Sequence, residues 1–166
     1  MWIALALGLT GCFLKPQPLW VSNPEAIGSF EAVAGLGCAK NESERQCLER
    51  GRLAAQEQLA ERIRQVLRSI TVEFISENGL GDAQTADRLL EGVLQEGAER
   101  MLSRAQMSAA HPRGQRLELL LSVPDRSARS IAKETVIRAL RSDDLLYEQA
   151  EMIRAFEGLD SLIERY

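Results

Sequence analysis

The sequence predicts an α+β domain, a small antiparallel sheet packed on a long helix, with additional helices and a C-terminal helix. Three observations carry this expectation. Leu48, Ala55, Leu59, Ile63, Val66 and Ile70 recur at the helical period and so share one face. Leu117, Leu119, Leu121 and Val123 alternate with Glu118, Leu120 and Ser122, the period-two pattern of a strand with one face in a core. The breakers Asn78-Gly79-Leu80-Gly81 and His111-Pro112-Arg113-Gly114 separate these runs from their neighbours. A chain of 166 residues that is 45% hydrophobic and 27% charged suits one globular domain with appendages.

The elements follow in order. Ser29 to Gly37 is a short run of small and apolar residues with turn signals at both ends, a candidate first strand. Ser43, with Gln46 three residues on, is a capping box that opens the long helix. Its opposite face carries Glu49, Arg50, Glu57, Glu61, Arg64 and Arg68, whose mixed signs describe a solvated surface better than an arginine clamp for phosphate. Thr71 to Ile75 is β-branched and aromatic, and reads either as strand or as a frayed helix end. Asp82 caps a second helix with Leu89, Leu90, Val93, Leu94, Ala98, Met101 and Leu102 on its apolar face. Ala105 to Ala110 and Arg116 to Val123 form a hairpin about a turn at 111–114. Leu120, on the far side from its apolar neighbours, calls for partial cover there too. Asp125 after Pro124 starts a third helix, and Ser142 caps a last one running nearly to Tyr166.

The first residues differ from everything after them. Trp2 to Leu9 is an uncharged apolar run that passes directly into Leu9-Thr10-Gly11-Cys12. Small residues before a cysteine suit a signal-peptidase pocket, and the thiol accepts the acyl group, so 1–11 reads as a lipoprotein signal peptide and Cys12 as the lipidation site. The run is too short to span a bilayer, which takes about 20 residues. No basic n-region precedes it, which leaves room for a start upstream of Met1; a buried N-terminal strand with a chance cysteine is the alternative. Phe13, a non-acidic residue after the cysteine, points to the outer membrane. Residues 12–26, with Pro16 and Pro18, read as an extended tether. Trp20 at its end reads as a packing anchor rather than a binding residue.

Pro18-Leu19-Trp20-Val21 with Asn23-Pro24, the alanine- and glycine-rich strand, the helix with Ala54-Ala55, Leu59-Ala60, Ile63 and Val66, and a hairpin ending in an apolar strand resemble the LPP-twenty lipoprotein family over roughly residues 16 to 140. The first hairpin arm carries Gln106 and Met107 where that family often has a tryptophan. The resemblance implies a strand-helix-strand-strand domain, here 27–141, followed by a C-terminal helix at 142–166. It also implies an outer-membrane or periplasmic location, in some members flagellar, and no catalytic site.

A search for chemistry agrees with that expectation. His111 stands in a turn without cysteine or carboxylate company, which supports neither a metal site nor a catalytic triad. Ser122 has no nucleophile-elbow context, and Asp143 with Asp144 complement a helix N-terminus better than they serve as an acid–base pair. Gly79 and Gly81 mark a turn, not a phosphate loop. Twenty basic residues interleaved with twenty-four acidic ones, net −4, disfavour nucleic acid as a partner. No cofactor is expected.

Once Cys12 is acylated, Cys38 and Cys47 remain as an even pair in an oxidising compartment, to be read as a disulfide or as two buried thiols. In the last helix, Leu145, Met152, Phe156, Leu159 and Ile163 form a heptad-like stripe. It reads as a partner surface, or else as a face folded back on its own domain. The functional expectation is a lipid-anchored envelope component that binds envelope proteins or itself. A periplasm-facing module for a small apolar ligand comes second and an enzyme third.

Overall fold

The computed structural model describes residues 17–166. The signal segment with Leu9, Thr10, Gly11 and Cys12 therefore lies outside the described residues. The chain runs through α1 (Leu19–Ser22), a 3-10 turn (Pro24–Ala26), β1 (Glu31–Gly37), α2 (Glu44–Asn78) and α3 (Ala83–Leu102). There follow β2 (Gln106–Arg113), β3 (Arg116–Ser122), α4 (Asp125–Arg141), α5 (Asp144–Met152) and α6 (Phe156–Ile163). The fold is α+β, a three-stranded antiparallel sheet in the order β1-β3-β2 with helices packed on it.

Ser43 caps α2 as a capping box, its side chain accepting from the Gln46 amide while the Gln46 side chain accepts from the Ser43 amide. From there Cys47, Gly51, Ala55, Leu59, Ile63 and Leu67 are buried at steps of four, followed by Ile70 and Phe74. Each four-residue step turns the helix about 40° past a full turn, so the buried row winds around α2. The early part meets the sheet: Gly51 faces Leu36 of β1 and Leu119 of β3. The later part meets helices, with Gly97 of α3 against Leu67 and Phe156 stacked on Phe74 at 6.1 Å between ring centroids.

Thr71 to Ile75 is helix, not strand. Thr71, Phe74 and Ile75 are all buried on the stripe, and the Thr71 hydroxyl donates to the Leu67 carbonyl at 2.7 Å, so its polar atom is satisfied within the helix. Burial outweighs the β-branched preference, which amounts to only a few tenths of a kcal/mol per residue. The helix stops at Gly79, whose φ of 59° is the left-handed conformation that other residues adopt at a penalty.

In the sheet, Ala32 and Ala34 of β1 lie opposite Leu121 and Leu119 of β3 and face α2. The hairpin is tighter than its sequence suggests. Gly114 and Gln115 alone make the turn, with Gly114 at φ 61°, and His111, Pro112 and Arg113 belong to β2. Pro112 is tolerated because its position in the register turns its missing N–H away from β3, toward the free edge.

The expected tether 12–26 ends earlier than its composition suggests. Residues 19–26 coil into α1 and the 3-10 turn, and Trp20 stands edge-on to His111 at 6.5 Å, on the face of the sheet that also carries Leu120. Leu120 itself is buried although it points away from α2.

Two glycines in helix interiors give opposite expectations. A Cβ on Gly51 would stand 2.6 Å from Leu119 Cδ1 and 2.7 Å from Leu36 Cδ2, whereas one on exposed Gly92 meets nothing within 4 Å. Gly51→Val should lose about 1 to 3 kcal/mol to overpacking, and Gly92→Ala should gain about 0.8 to 1 kcal/mol from helix propensity. Urea unfolding of both variants against the parent checks the pair of signs.

Candidate interaction surfaces

The junction between β1 and α2 is fastened by a covalent bond and by an ion pair. Cys38 and Cys47 are joined as a disulfide with Cα atoms 5.5 Å apart, across a sequence separation of nine. Cys47 is buried with Leu117 and Leu119 in a small satellite of the core. Arg50, one turn further along α2, donates from Nη2 to the Gly37 carbonyl at 2.8 Å and forms a two-pronged pair with Glu42. That pair, together with the Ala39 amide, holds the Glu42 carboxyl below its ordinary range.

The two edges of the sheet are unlike. Beyond β2 lie Pro112, without a donor, and an irregularity in register between Met107 and Ala109, both of which oppose strand addition. Beyond β1 the sequence is Glu31-Ala32-Val33-Ala34-Gly35-Leu36-Gly37, without proline or bulge and with its one charge at the N-terminal end. On the face away from α2, Gly35 has no side chain, and the Glu118 side chain occupies the space a Cβ would need.

The C-terminal stripe does not remain a single surface. The expected helix from Ser142 is two helices, because Ser142 closes α4 with its hydroxyl on the Ala139 carbonyl while Asp143 caps α5 through the Leu146 amide. Between them and Tyr166, Arg154 at φ 56° breaks the helix. The break redirects α6 so that Leu159 and Ile163 enter the core and Phe156 packs between Phe74 and Tyr147. Arg165 then bridges Glu73 and Glu77, and the Tyr166 hydroxyl donates to Glu73, tying the C-terminal end of the fold back to α2. Only Leu145 and Met152 of the five stripe residues stay outside, 80% and 78% exposed.

Residues singled out for chemistry are structural in position. Asp143 caps α5, Asp144 sits in the first turn of that helix, and the Ser122 hydroxyl contacts that of Ser108 across the β2–β3 pair. Among the described residues no group of three or more His, Cys, Asp or Glu is placed to hold a metal ion. No helix of these residues is long and apolar enough to cross a membrane. A narrow space among Thr71, Phe74, Val93 and Leu140 has about 10 Å³, room for at most a single water. A cleft of about 340 Å³ beside β1 is open and lined by Ala32, Val33, Gln58, Glu61, Arg62 and Gln65. Pro24 and Ile27 complete its apolar side. No protein-family model matches the chain, and no curated protein matches it.

Two expectations follow from these positions. Replacing Cys38 and Cys47 together by alanine releases a loop of about ten residues and should lower stability by roughly 2.5 kcal/mol on the chain-entropy relation, read as a lower urea midpoint with unchanged circular dichroism. Leu159→Ala should lower it by about 2 to 5 kcal/mol, whereas Met152→Ala should stay within about 0.5 kcal/mol of the parent, because only the first empties a core position.

Proposed function

We propose that this chain is a lipid-anchored bacterial envelope protein that acts as a structural or interaction component. The observation that carries the reading is the Cys38–Cys47 disulfide. Such a bond is kept outside the reducing cytosol, and it accounts for two of the three cysteines in the chain. The third, Cys12, closes an apolar run as Leu9-Thr10-Gly11-Cys12, where acylation consumes it.

The order β1, α2, β2, β3, with α3 inserted, supports the resemblance to LPP-twenty lipoproteins and the strand-helix-strand-strand domain that family implies. Outer-membrane attachment, with Phe13 as the permissive residue after the anchor, and a flagellar association belong to the same proposal. The reading needs a partner-binding surface rather than a pocket, and the described clefts are open and shallow beside the packed core.

Cells fed a clickable fatty acid should label the parent chain, and Cys12→Ser should abolish both the label and retention in the membrane fraction. Persistent label, or equal membrane retention after the substitution, overturns the anchor. Reduced and alkylated peptide maps of the exported parent should show Cys38 and Cys47 protected before reduction.

A further inference from the structure

The outer edge of β1 carries a particular set of unpaired backbone groups. Val123 donates to the Phe30 carbonyl and Cys38 donates to the Gln115 carbonyl, which fixes the hydrogen-bonding parity of the β1–β3 ladder. Even-numbered residues of β1 bond to β3, and Glu31, Val33, Gly35 and Gly37 turn their N–H and C=O groups outward. Two of these eight groups are already engaged: the Glu31 amide donates to the Gly28 carbonyl, and the Gly37 carbonyl accepts from Arg50. Among the described residues, the other six have no partner: the carbonyl of Glu31, both groups of Val33, both groups of Gly35 and the amide of Gly37.

We infer that β1 pairs antiparallel with β1 of a second copy of this chain, about a two-fold axis at Ala34, joining the two sheets into one. In that register Val33 lies opposite Gly35 of the other copy, and Glu31 lies opposite Gly37. The six free groups on each copy then match one another without remainder. The Val33 and Gly35 groups exchange four hydrogen bonds, and each Gly37 amide donates to the opposite Glu31 carbonyl, making six in all. The two engaged groups, the Glu31 amide and the Gly37 carbonyl, fall opposite each other, where they would otherwise have formed the remaining bonds. Centring the axis on Val33 or on Gly35 sets an engaged group against a free one and leaves four bonds. The pattern is self-complementary in one register, which is what an isologous contact requires.

The side chains allow it. On the face away from α2, Val33 of one copy lies beside Gly35 of the other, which has no side chain of its own and is covered by the side chain of Glu118. On the inner face, Ala34 meets Ala34, and Leu36 lies beside Ala32, which lines the cleft under Gln58, Glu61, Arg62 and Gln65. That flank of α2 carries one acid and one base, Pro24 and Ile27 wall the same cleft, and the Glu31 carboxylate at the end of the strand accepts from the Gly28 amide of its own chain. The inference rests on the proposed role only in taking self-association as the interaction; the pairing itself does not require the lipid.

The register makes Ala34 its own neighbour in a non-hydrogen-bonded pair, with Cα atoms about 4.5 Å apart, within disulfide range. In intact cells expressing the full chain, Ala34→Cys should therefore give a covalent dimer on mild oxidation, and Ala110→Cys on the opposite edge should not. Adding Val33→Pro removes an outward donor without touching the ladder to β3, and should cut the covalent dimer at least ten-fold while circular dichroism of the purified chain stays native. No dimer at position 34, equal dimer at 110, or a dimer indifferent to a folded Val33→Pro variant overturns the pairing. Should Val33→Pro fail to fold, the comparison of positions 34 and 110 decides alone. Fatty-acid labelling of the same cells separates the two conclusions. Label without dimer leaves the anchor and removes the pairing, and dimer without label does the reverse.

Discussion

The structure depends on the burial of one winding row along α2. At 35 residues this helix is about 52 Å long, whereas a seven-residue strand spans only about 23 Å. The sheet therefore covers less than half of the helix, and the row rotates away from the sheet as it proceeds. Everything C-terminal to Ile63 on that row needs apolar cover from elsewhere. The chain supplies it with α3 and α4 and finally with α6, whose Leu159 and Ile163 are as buried as the helix residues they join. The break at Arg154 is a consequence: a straight continuation of α5 would carry those side chains past the core, and the left-handed residue turns the chain back toward Phe74.

This requirement explains why some elements were legible in the sequence and others were not. Ser43 with Gln46, Asp82 and the alternating leucines of β3 are local signals, readable because a cap or a strand face is decided by residues a few positions apart. Thr71 to Ile75 looked ambiguous because its local preference and its long-range role conflict; the stripe that keeps it helical is visible only once Phe74 is known to meet Phe156. The stripe from Leu145 to Ile163 divides between its two readings for a related reason, its later residues folding back on their own domain. The spacing is real, but a single positive φ at Arg154 divides it into an outward part, Leu145 and Met152, and an inward part, Leu159 and Ile163. An arginine gives no sequence signal for that conformation, as a glycine would. The first hairpin arm runs three residues further than expected, because proline reads as a turn residue although an outward edge position tolerates it equally well.

Of the candidate surfaces, the edge of β1 was not visible in the sequence at all. Its small residues read as a strand and nothing more. What distinguishes it is the inventory of engaged groups, set by Gly28 at one end and Arg50 at the other. The disulfide lies at that second end and fixes where β1 stops, because Cys38 cannot leave Cys47 and the Arg50 guanidinium remains over Gly37. A fastening that stabilises the monomer thus also sets the length and the register of the open edge.

Anchoring and edge pairing act on the same free energy. Six hydrogen bonds at about 1 kcal/mol net each amount to roughly the lower estimates of the translational and rotational freedom lost when two bodies join in solution. Pairing through β1 alone is therefore weak for a chain moving in three dimensions, and the mostly small side chains beside it add only modest apolar contact. A lipid at Cys12, on the proposed reading, confines each copy to a surface and removes part of that loss in advance, raising the effective concentration of one edge for another without any new contact. The open edge then avoids the usual hazard of indiscriminate strand addition, since association becomes appreciable mainly where the anchor has gathered copies of the same chain.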